Sequence, residues 1–367
     1  FTPIERQYSA ALMGQKIAYF PYAERINTPL HLLLKGSELD FLFDRAKTLS
    51  LRFFDERFVP DASGSTVVDL ESSMRELGFT ATLGALFGED ITARSPNLFK
   101  DLTTFDHWVP VALMGVPWWC SFGEQRNAME GIKKALLAVR DEPCSVAIRE
   151  RWALFKEFGF SDDEQACMNT LIAWVSFANT IPTVTWCLLH VAQNPQLQQE
   201  IAEELALLGI RDSSDLTRAN LDKSKLFHNL AYETLRIYSE NFISRRCMKD
   251  VELTDPVSGQ KYSIFEGENV FACAAITNHE DDEFPNAQTF DPHRGRVPTA
   301  FWGGGSRMCP GRLFIMSEIR LFLALFLLNF EMTLVDAFPK KDIRGSGVQV
   351  LKPASPCRVK ITRRRLR

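Results

Sequence analysis

One cysteine of this 367-residue chain lies in a setting that favours its reactive, ionised form. Cys309 follows three consecutive glycines, residues 303–305, and precedes Pro310 and Gly311. The glycines permit a tight loop and the close approach of a flat group, and the proline predicts that a helix begins just after the cysteine. Backbone N–H groups at a helix start, with the cation of Arg307 nearby, favour thiolate over thiol. The segment is therefore suited to bind a soft metal.

Several kinds of site stay open for Cys309 on these residues alone. A single thiolate can hold the iron of one class of haem. A phosphate loop of the GxxxxGK[ST] type needs a lysine that this segment lacks. A nucleophilic cysteine needs a histidine partner, which one sequence does not locate. A buried structural cysteine would be the default if the glycine loop stood alone.

The segment does not stand alone, because it resembles the signature of the cytochrome P450 haem-thiolate monooxygenases. That signature is an aromatic residue, two or three glycines, a basic residue, a spacer, the cysteine, a spacer and a glycine. The matching positions are Trp302, Gly303, Gly305, Arg307, Cys309 and Gly311. Tryptophan replaces the usual phenylalanine, as in the branch of prostacyclin synthase and sterol hydroxylases. The resemblance implies a haem b cofactor bound by these residues, with Cys309 as the axial ligand of the iron.

Two further motifs follow in the order that this family shows. Glu233 and Arg236 form an ExxR pair on a predicted helix, where side chains three residues apart share a face. Such a pair alone is uninformative, because exposed pairs are common and contribute little. Arg294, in the run 290–294, matches the third member of the family's Glu-Arg-Arg triad. The resemblance implies a structural lock beneath the haem, and it extends over essentially the whole chain.

The apolar stretch 162–193 predicts a long buried helix, which the resemblance places across the oxygen-binding face of the haem. The family's usual acid and threonine, which deliver protons to oxygen, are replaced by Ala178 and Asn179. Asparagine donates and accepts hydrogen bonds but is not an acid. We therefore expect proton delivery through water that Asn179 organises, with Thr180 beside it. Alternatively, Asn179 and Thr180 only cap a helix bulge that Pro182 causes.

The string 178–182 resembles one branch of the family, which contains sterol 7α- and 12α-hydroxylases, oxysterol 7α-hydroxylases and prostacyclin synthase. Most of its members insert one oxygen atom of O2 into a C–H bond with electrons from NADPH. We therefore expect hydroxylation of a lipophilic, sterol-like substrate. A lipid-peroxide isomerase that needs no electrons and a monooxygenase of a secondary metabolite are the alternatives. The missing acid also leaves open an inactive haem protein.

Cations are required wherever a haem is buried, because its propionates would otherwise be costly unpaired carboxylates. The resemblance implies that Arg307 pairs with one propionate and Arg245 with the other. Arg246 is a close rival of Arg245, since a shift of one residue along a strand moves a side chain to the other face.

The substrate wall is predicted from the same resemblance. It would include Phe177 and Ala178 from the long helix, Ile243 from the first strand after the triad helix, and Val348 from the C-terminal tip. A hydrophobic pocket with few polar groups suits a rigid lipid such as a sterol. The 28 phenylalanines of the chain fit such an apolar interior.

Apolar periodicity predicts helices up to about residue 240 and short strands and turns beyond it. The predicted fold class is mainly α, the cytochrome P450 fold with a small β portion. The predicted helices are 37–58, 70–87, 97–113, 124–139, 145–158, 162–193, 196–208, 224–239 and 311–330, and the predicted strands are 242–247, 251–253 and 262–264.

The composition is that of a packed domain, with 46% hydrophobic and 24% charged residues. A net charge of −4 gives no general electrostatic footprint for nucleic acid. The eight dispersed cysteines do not indicate a disulfide framework and favour a reducing compartment.

The resemblance begins part-way along the family pattern. We therefore expect residues 1–367 to form a single P450 domain that lacks an N-terminal anchor and the first sheet strands. NADPH–cytochrome P450 reductase is the implied electron donor, and the cytosolic face of the endoplasmic reticulum membrane the implied location. The apolar segment 108–122 is either a buried helix end or a segment that dips into the membrane surface.

Overall fold

The computed structural model of the protein describes residues 30, 35–59, 61–62, 64–113, 123–294, 300–305, 308–347 and 349–364. Helices dominate this part of the chain. They are α1 Ser37–Arg57, α2 Leu70–Phe87, α3 Ile91–Arg94, α4 Leu98–Leu113, α5 Glu124–Ala138, α6 Val146–Glu157, α7 Asp162–Ala178, α8 Thr180–Ala192, α9 Pro195–Leu207, α10 Arg218–Leu221, α11 Lys225–Tyr238, α12 Ala274–Asn278 and α13 Arg312–Asn329. The predicted mainly helical fold is confirmed.

Side-chain caps set the starts of several of these helices. The Asp69 carboxylate accepts a hydrogen bond from the backbone N–H of Ser72 at the start of α2. At the start of α7, Ser161 and Glu164 form a reciprocal capping box, the arrangement that satisfies two otherwise unpaired N–H groups. Asn194 caps α9, whose first residue is Pro195. Because these signals are local, the sequence locates the helix starts within a residue or two.

The predicted helix 162–193 is interrupted in its middle. Asn179 separates α7 from α8, with φ −105° and ψ −32°. Pro182 follows three residues later and has no N–H to continue the helical hydrogen bonds, which accounts for a break here. By length and composition Asp162–Ala192 could cross a membrane, but 72% of its most apolar window is buried inside the protein.

The small β portion consists of short antiparallel pairings. The strands are β1 Ser65–Asp69, β2 Phe242–Arg246, β3 Val251–Thr254, β4 Lys261–Ile264, β5 Asn269–Cys273, β6 Phe330–Leu334, β7 Lys341–Asp342, β8 Lys352–Pro353 and β9 Arg358–Arg363. One sheet has the order β1-β9-β6, and β2–β5, β3–β4 and β7–β8 form two-stranded pairs. In the larger sheet Val67 pairs with Lys360, and Lys360 pairs with Thr333.

The two buried helices at the centre of the core are α8 and α13. All residues of α8 are buried, and α8 packs against α2, α11 and α13. A phenylalanine cluster joins α1 to α13, with ring centroids 5.0 Å apart between Phe54 and Phe326 and 5.4 Å apart between Phe54 and Phe330. Part of the phenylalanine excess therefore packs between α1 and the helix that follows Cys309. Cys144, Cys187, Cys247, Cys273, Cys309 and Cys357 are free thiols.

Candidate active site

The loop that carries Cys309 folds back on itself. Gly303 has φ +73° and Gly305 has φ +61°, conformations that side chains on Cβ disfavour. The backbone N–H of Cys309 donates to the carbonyl oxygen of Trp302 at 2.8 Å, which closes the loop. Gly311 has an ordinary φ of −84°, and helix α13 begins with the next residue. The glycines at 303 and 305 are thus required by the turn itself.

The electrostatics of the Cys309 sulfur differ from the expectation. Burial raises the pKa of the Cys309 thiol, while the backbone N–H groups of Gly311 and Arg312 and the charge of Arg312 act in the opposite direction. The predicted helix-start effect is present, but desolvation outweighs it in the described residues. Arg307, the cation expected to assist, lies outside those residues. Among the described residues burial therefore favours the thiol, and a cation bound at the sulfur would favour the thiolate.

A cavity of about 340 Å³ adjoins the cysteine loop. Most of its lining is aliphatic or aromatic, and the polar side chains come from two elements, the α7–α8 helix pair and the chain after α11. The apolar lining is Leu30, Leu86, Ala147, Ile148, Ile172, Val175, Leu235, Phe301, Trp302, Pro310, Phe314, Ile315 and Val350, with Gly311 and Cys309 from the loop. Such a cavity suits an apolar ligand with few polar groups.

The helix wall of the cavity is formed by residues on both sides of the α7–α8 break. Val175, Ser176, Asn179 and Thr183 line it. The Asn179 side-chain oxygen accepts a hydrogen bond of 2.9 Å from the backbone N–H of Val350. The break residue is thereby tied to the C-terminal segment that lines the same cavity.

Three side chains expected on this wall are placed elsewhere. Phe177, Ala178 and Thr180 are buried, and none of them lines the cavity. The Thr180 hydroxyl donates instead to the carbonyl oxygen of Ser176 at 3.0 Å. In a helix, positions three, four and seven apart share a face, so the immediate neighbours of Asn179 lie on other faces. In this structure these three side chains therefore lie off the cavity wall, whereas Asn179 lies on it.

The chain after α11 contributes a wall that the sequence did not indicate. Ser239, Asn241 and Val350 line the cavity, whereas Ile243 does not and instead pairs with Ala272 in the β2–β5 ladder. Val348 lies outside the described residues. The signal that could have found Ser176 and Thr183 is their spacing of three and four residues from Asn179 in an apolar helix. Ser239 and Asn241 carry no such signal.

The triad residues are brought together in a buried network. Arg236 donates from Nε to Glu233 Oε2 at 2.8 Å and from Nη2 to Oε1 at 2.7 Å. Arg294 Nε reaches Glu233 Oε1 at 3.3 Å. Both arginines also bind carbonyl oxygens of the segment between them, Arg236 those of Asn278, Ala287 and Thr289, and Arg294 those of Pro285, Asn286 and Thr289. The network fastens α11 to residues 278–294.

Arg245 and Arg246 take different partners from β2. Arg245 Nη2 donates to the carbonyl oxygen of Gly304 at 3.1 Å, which brings its guanidinium to the cysteine loop. Arg246 Nη2 lies beside Gly267 instead, 3.7 Å from where a Cβ of that residue would be. Successive strand residues alternate faces, so only one of the two arginines can reach the loop.

A profile of the family described as Cytochrome P450 matches residues 153–361, which is more than half of the chain. The chain belongs to the cytochrome P450 family. The matched region contains the triad, the α7–α8 helix pair and the Cys309 loop. This P450 is an oxidoreductase of the monooxygenase type.

Comparison with individual proteins gives distant relatives over most of the P450's length. The chain is 24% identical to "25-hydroxycholesterol 7-alpha-hydroxylase" of Rattus norvegicus, covering 84% of this chain and 82% of the relative. It is 26% identical to "Cytochrome P450 7A1" of Oryctolagus cuniculus, covering 90% and 73%. It is 26% identical to "5-beta-cholestane-3-alpha,7-alpha-diol 12-alpha-hydroxylase" of Sus scrofa, covering 80% and 66%.

A solved structure shares the fold of this P450. "Retinoic acid bound cyanobacterial CYP120A1" superposes with a TM-score of 0.76 at 18% sequence identity, covering 98% of this chain and 82% of that chain. At this identity the similarity establishes the fold alone.

The family implies a haem with a thiolate ligand, and the cavity fits such a group. Cys309 is on its wall, and the N–H groups of Gly311 and Arg312 can stabilise negative charge on the sulfur. The surrounding apolar and aromatic side chains suit a flat hydrophobic macrocycle. Among the described residues, no group of three or more His, Cys, Asp or Glu side chains is arranged to hold a metal ion. A single cysteine is the donor that this cavity offers.

Proposed function

We propose that this P450 hydroxylates a lipophilic, sterol-like substrate. Substrate, O2, NADPH and one proton would give the hydroxylated product, NADP+ and water. One oxygen atom enters a substrate C–H bond, and the two electrons of NADPH reduce the other oxygen atom to water. Two relatives are named as sterol hydroxylases, and their names support this substrate class.

The observation that carries the proposal is the composition of the cavity that Cys309 and Asn179 both line, in which the haem would lie on the Cys309 side and the substrate on the Asn179 side. Its lining is mostly apolar, and its polar side chains come from the α7–α8 break and from residues 239 and 241. An apolar cavity excludes water from most of the ligand surface and selects lipophilic molecules. A few polar groups at one wall can then orient the ligand.

The cofactor would be held by the loop and by flanking cations. In this proposal the Cys309 sulfur would hold the haem iron, Arg245 and Arg307 would neutralise the propionates, and Trp302, Gly303, Gly305 and Gly311 would shape the loop. Glu233, Arg236 and Arg294 would lock the chain that supports it. When bound, a thiolate-ligated haem supplies the activation of dioxygen.

The polar residues on the α7–α8 wall would orient the reacting groups and hold water beside them. Asn179 can donate a hydrogen bond from its amide but cannot release a proton. Ser176 and Thr183 carry hydroxyls on the same wall. Protons would therefore reach the site through water that these three side chains hold in place. Phe177, Ile243 and Val348 stay candidates for the substrate wall from the family resemblance.

Electrons would come from NADPH through a cytochrome P450 reductase. The relatives are sterol-hydroxylating P450s, and this class of enzyme favours the cytosolic face of the endoplasmic reticulum membrane as the location. The membrane would then be the source of substrate. The apolar segment that begins in α4 and continues into residues 114–122, outside the described residues, is a candidate for membrane contact.

The test is turnover of the haem-loaded chain with a reductase, NADPH and 18O2. We expect cholesterol or 25-hydroxycholesterol to gain one 18O atom, with NADPH consumed in step. Rearrangement of a lipid peroxide without NADPH, and no labelled product from either sterol, would overturn hydroxylation in favour of the isomerase. Absence of both reactions in a haem-loaded chain would overturn both functions.

A further inference from the structure

A second cavity, of about 520 Å³, lies apart from the cysteine loop. It is bordered by the C-terminal ends of α8 and α11, the first turn of α9, residues 288–292 and Phe338. Among the described residues, none that lines this cavity also lines the one beside Cys309. Its volume is that of a small-molecule site, so the chemistry of its lining defines a second kind of ligand.

The second cavity has a buried floor and a polar rim. His190, Leu197 and Tyr238 are buried at the floor, and Tyr238 is only 5% exposed. The rim carries the exposed amide side chains of residues 193, 194 and 288. No Asp, Glu, Lys or Arg is among the described lining residues. Because an ion buried without a partner is costly, the cavity selects uncharged ligands.

The polar groups of the floor form a hydrogen-bonded chain with a defined direction. Gln193 Nε2, which can only donate, lies 3.3 Å from His190 Nδ1. Burial lowers the pKa of His190 to about 3, so its neutral ring carries its one hydrogen on Nε2. That nitrogen donates to Tyr238 Oη at 2.8 Å. Burial raises the pKa of Tyr238, so the phenol keeps its hydrogen, and no described residue accepts it. The floor therefore offers the cavity one donor.

Aromatic rings surround this donor. The rings of His190 and Phe290 are stacked, with centroids 3.6 Å apart and planes at 5°. Phe338 lies 4.7 Å from His190, and Trp186 stacks on Tyr238 with centroids 3.9 Å apart. These contacts hold the rings in fixed orientations. Aromatic rings attract other rings in offset or edge-to-face geometry, so the wall favours a flat aromatic ligand over a saturated one of the same size.

We propose that this second cavity binds an uncharged aromatic compound that carries a hydrogen-bond acceptor, of which an aryl ketone is the simplest kind. The acceptor takes the hydrogen of Tyr238, the rings lie against Phe290 and Phe338, and the amide rim contacts the outer end of the ligand. Such a compound differs from the sterol-like substrate proposed for the other cavity, because it is recognised through ring contacts and a single acceptor.

The test is equilibrium binding of three probes to the haem-loaded full chain, measured by isothermal titration calorimetry. The probes are benzophenone, 1,1-diphenylethylene and dicyclohexyl ketone. Diphenylethylene replaces the carbonyl oxygen of benzophenone by CH2, and dicyclohexyl ketone keeps the carbonyl but lacks aromatic rings. We expect both to bind about fivefold to tenfold more weakly than benzophenone. Equal binding of benzophenone and either of the other two would overturn the proposal.

A variant assigns the ketone preference to the floor of the second cavity. Tyr238→Phe removes the donor and keeps the ring, so we expect the benzophenone-to-diphenylethylene affinity ratio to fall close to one. The control Tyr262→Phe, which changes an exposed tyrosine of β4, is expected to leave the ratio unchanged. A preference that survives Tyr238→Phe would overturn the proposal and assign the ketone to the Asn179 donor of the other cavity.

Benzophenone also marks the place where it binds. Under near-ultraviolet light its carbonyl carbon bonds to the carbon of a nearby C–H group and its oxygen takes the hydrogen, so the adduct is located by mass spectrometry. We expect adducts at Leu197 and Ile237, which line the second cavity. Adducts confined to Val175 and Ile315, which line the cavity beside Cys309, would overturn the proposal. The unmodified chain gives this result even where a variant does not fold.

The two cavities separate this inference from the proposed function. A chain that binds benzophenone at Tyr238 but transfers no 18O to sterols keeps the inference and loses the function. A chain that hydroxylates sterols and binds benzophenone no better than diphenylethylene does the reverse.

Discussion

Glu233 and Arg236 form a two-pronged ion pair that is closed to solvent. Their side chains are 3% and 0% exposed, and both Arg236–Glu233 hydrogen bonds are shorter than 3 Å. The remaining guanidinium nitrogen, Nη1, donates to the carbonyl oxygens of Asn278 and Ala287. The pair therefore acts as a junction between α11 and the chain that leads to Arg294.

Replacing Arg236 by lysine is expected to destabilise the protein by about 3–5 kcal/mol. A lysine cannot reproduce the planar fork of donors, so Glu233 Oε2 and several carbonyl oxygens would be buried without partners. Urea unfolding measures the change in the free energy of unfolding. Arg236→Ala is expected to abolish stable haem incorporation as well, which the haem content of the purified chain reports.

The matched control is an exposed arginine pair. Arg344 binds Asp342 in a similar two-pronged way, but its side chain is 81% exposed. Arg344→Lys is expected to leave the free energy of unfolding close to that of the unmodified chain, because exposed ion pairs contribute little to stability. Equal effects of the two substitutions on the free energy of unfolding would show that the buried Glu233–Arg236 pair stabilises the protein no more than an exposed pair does.

Asn179→Ala is expected to retain haem and to lower sterol turnover about tenfold or more. The change removes the NH2 donor from the cavity and the acceptor for the Val350 N–H, and loss of one placed donor typically costs a catalytic site at least this much. Haem content and product formation are measured on the same preparation. Asn127→Ala, at an exposed helix position, is the control. Unchanged turnover of the Asn179 variant would contradict its role.

Glu318 gives the protein a pH-dependent stability. Burial raises the pKa of this carboxyl to about 8, opposed by a hydrogen bond of 2.6 Å from the Thr82 hydroxyl. The folded chain therefore keeps a proton that the unfolded chain loses near pH 4.5. The free energy of unfolding should fall as the pH rises from about 4.5 to 8, by at most about 1.4 kcal/mol per pH unit from this group.

Glu318→Gln isolates that contribution. Glutamine keeps the shape of the neutral acid but does not ionise, so the decline in stability between pH 5 and pH 8 should be smaller in the variant. Urea midpoints at the two pH values give the comparison. An identical decline in both proteins would mean that Glu318 is not the group that titrates.

Gly78→Ala is expected to destabilise the protein by about 1–3 kcal/mol, although alanine normally stabilises a helix interior relative to glycine. A Cβ at position 78 of α2 would lie 2.1 Å from Cδ1 and 2.5 Å from Cγ1 of Ile181 in α8. The side chain of Ile181 would have to move at the helix pair that carries Asn179. Thermal unfolding gives the sign, and a more stable variant would contradict the close packing.

The helices were predictable because their signals are local. The prediction for 70–87 coincides with α2, whose start is set by Asp69 one residue before it. The break at Asn179 could be anticipated from Pro182. By contrast, β1 was missed, because it pairs with β9, almost 300 residues further along the chain, and nothing in the string Ser65–Asp69 identifies that partner.

The residues of the candidate site that belong to sequence motifs were predictable. The residues that line the cavity because of how the helices pack were not. Cys309, Glu233, Arg236 and Arg294 follow from fixed spacings, and the structure groups the last three in one network. Which neighbours of Asn179 line the cavity depends on the rotation of the helix. The family resemblance implied Phe177 and Ala178, whereas Ser176 and Thr183 line the cavity in the structure.

The role of Cys309 as the haem ligand is tested most directly by the absorption spectrum of the reduced, CO-bound chain. We predict a band at the position characteristic of thiolate-ligated haem in the unmodified chain and in Cys144→Ser, which changes a half-buried cysteine in the loop between α5 and α6. We predict no such band in Cys309→Ser. A haem-loaded chain without the band, or a Cys309→Ser variant that retains it, would contradict this role.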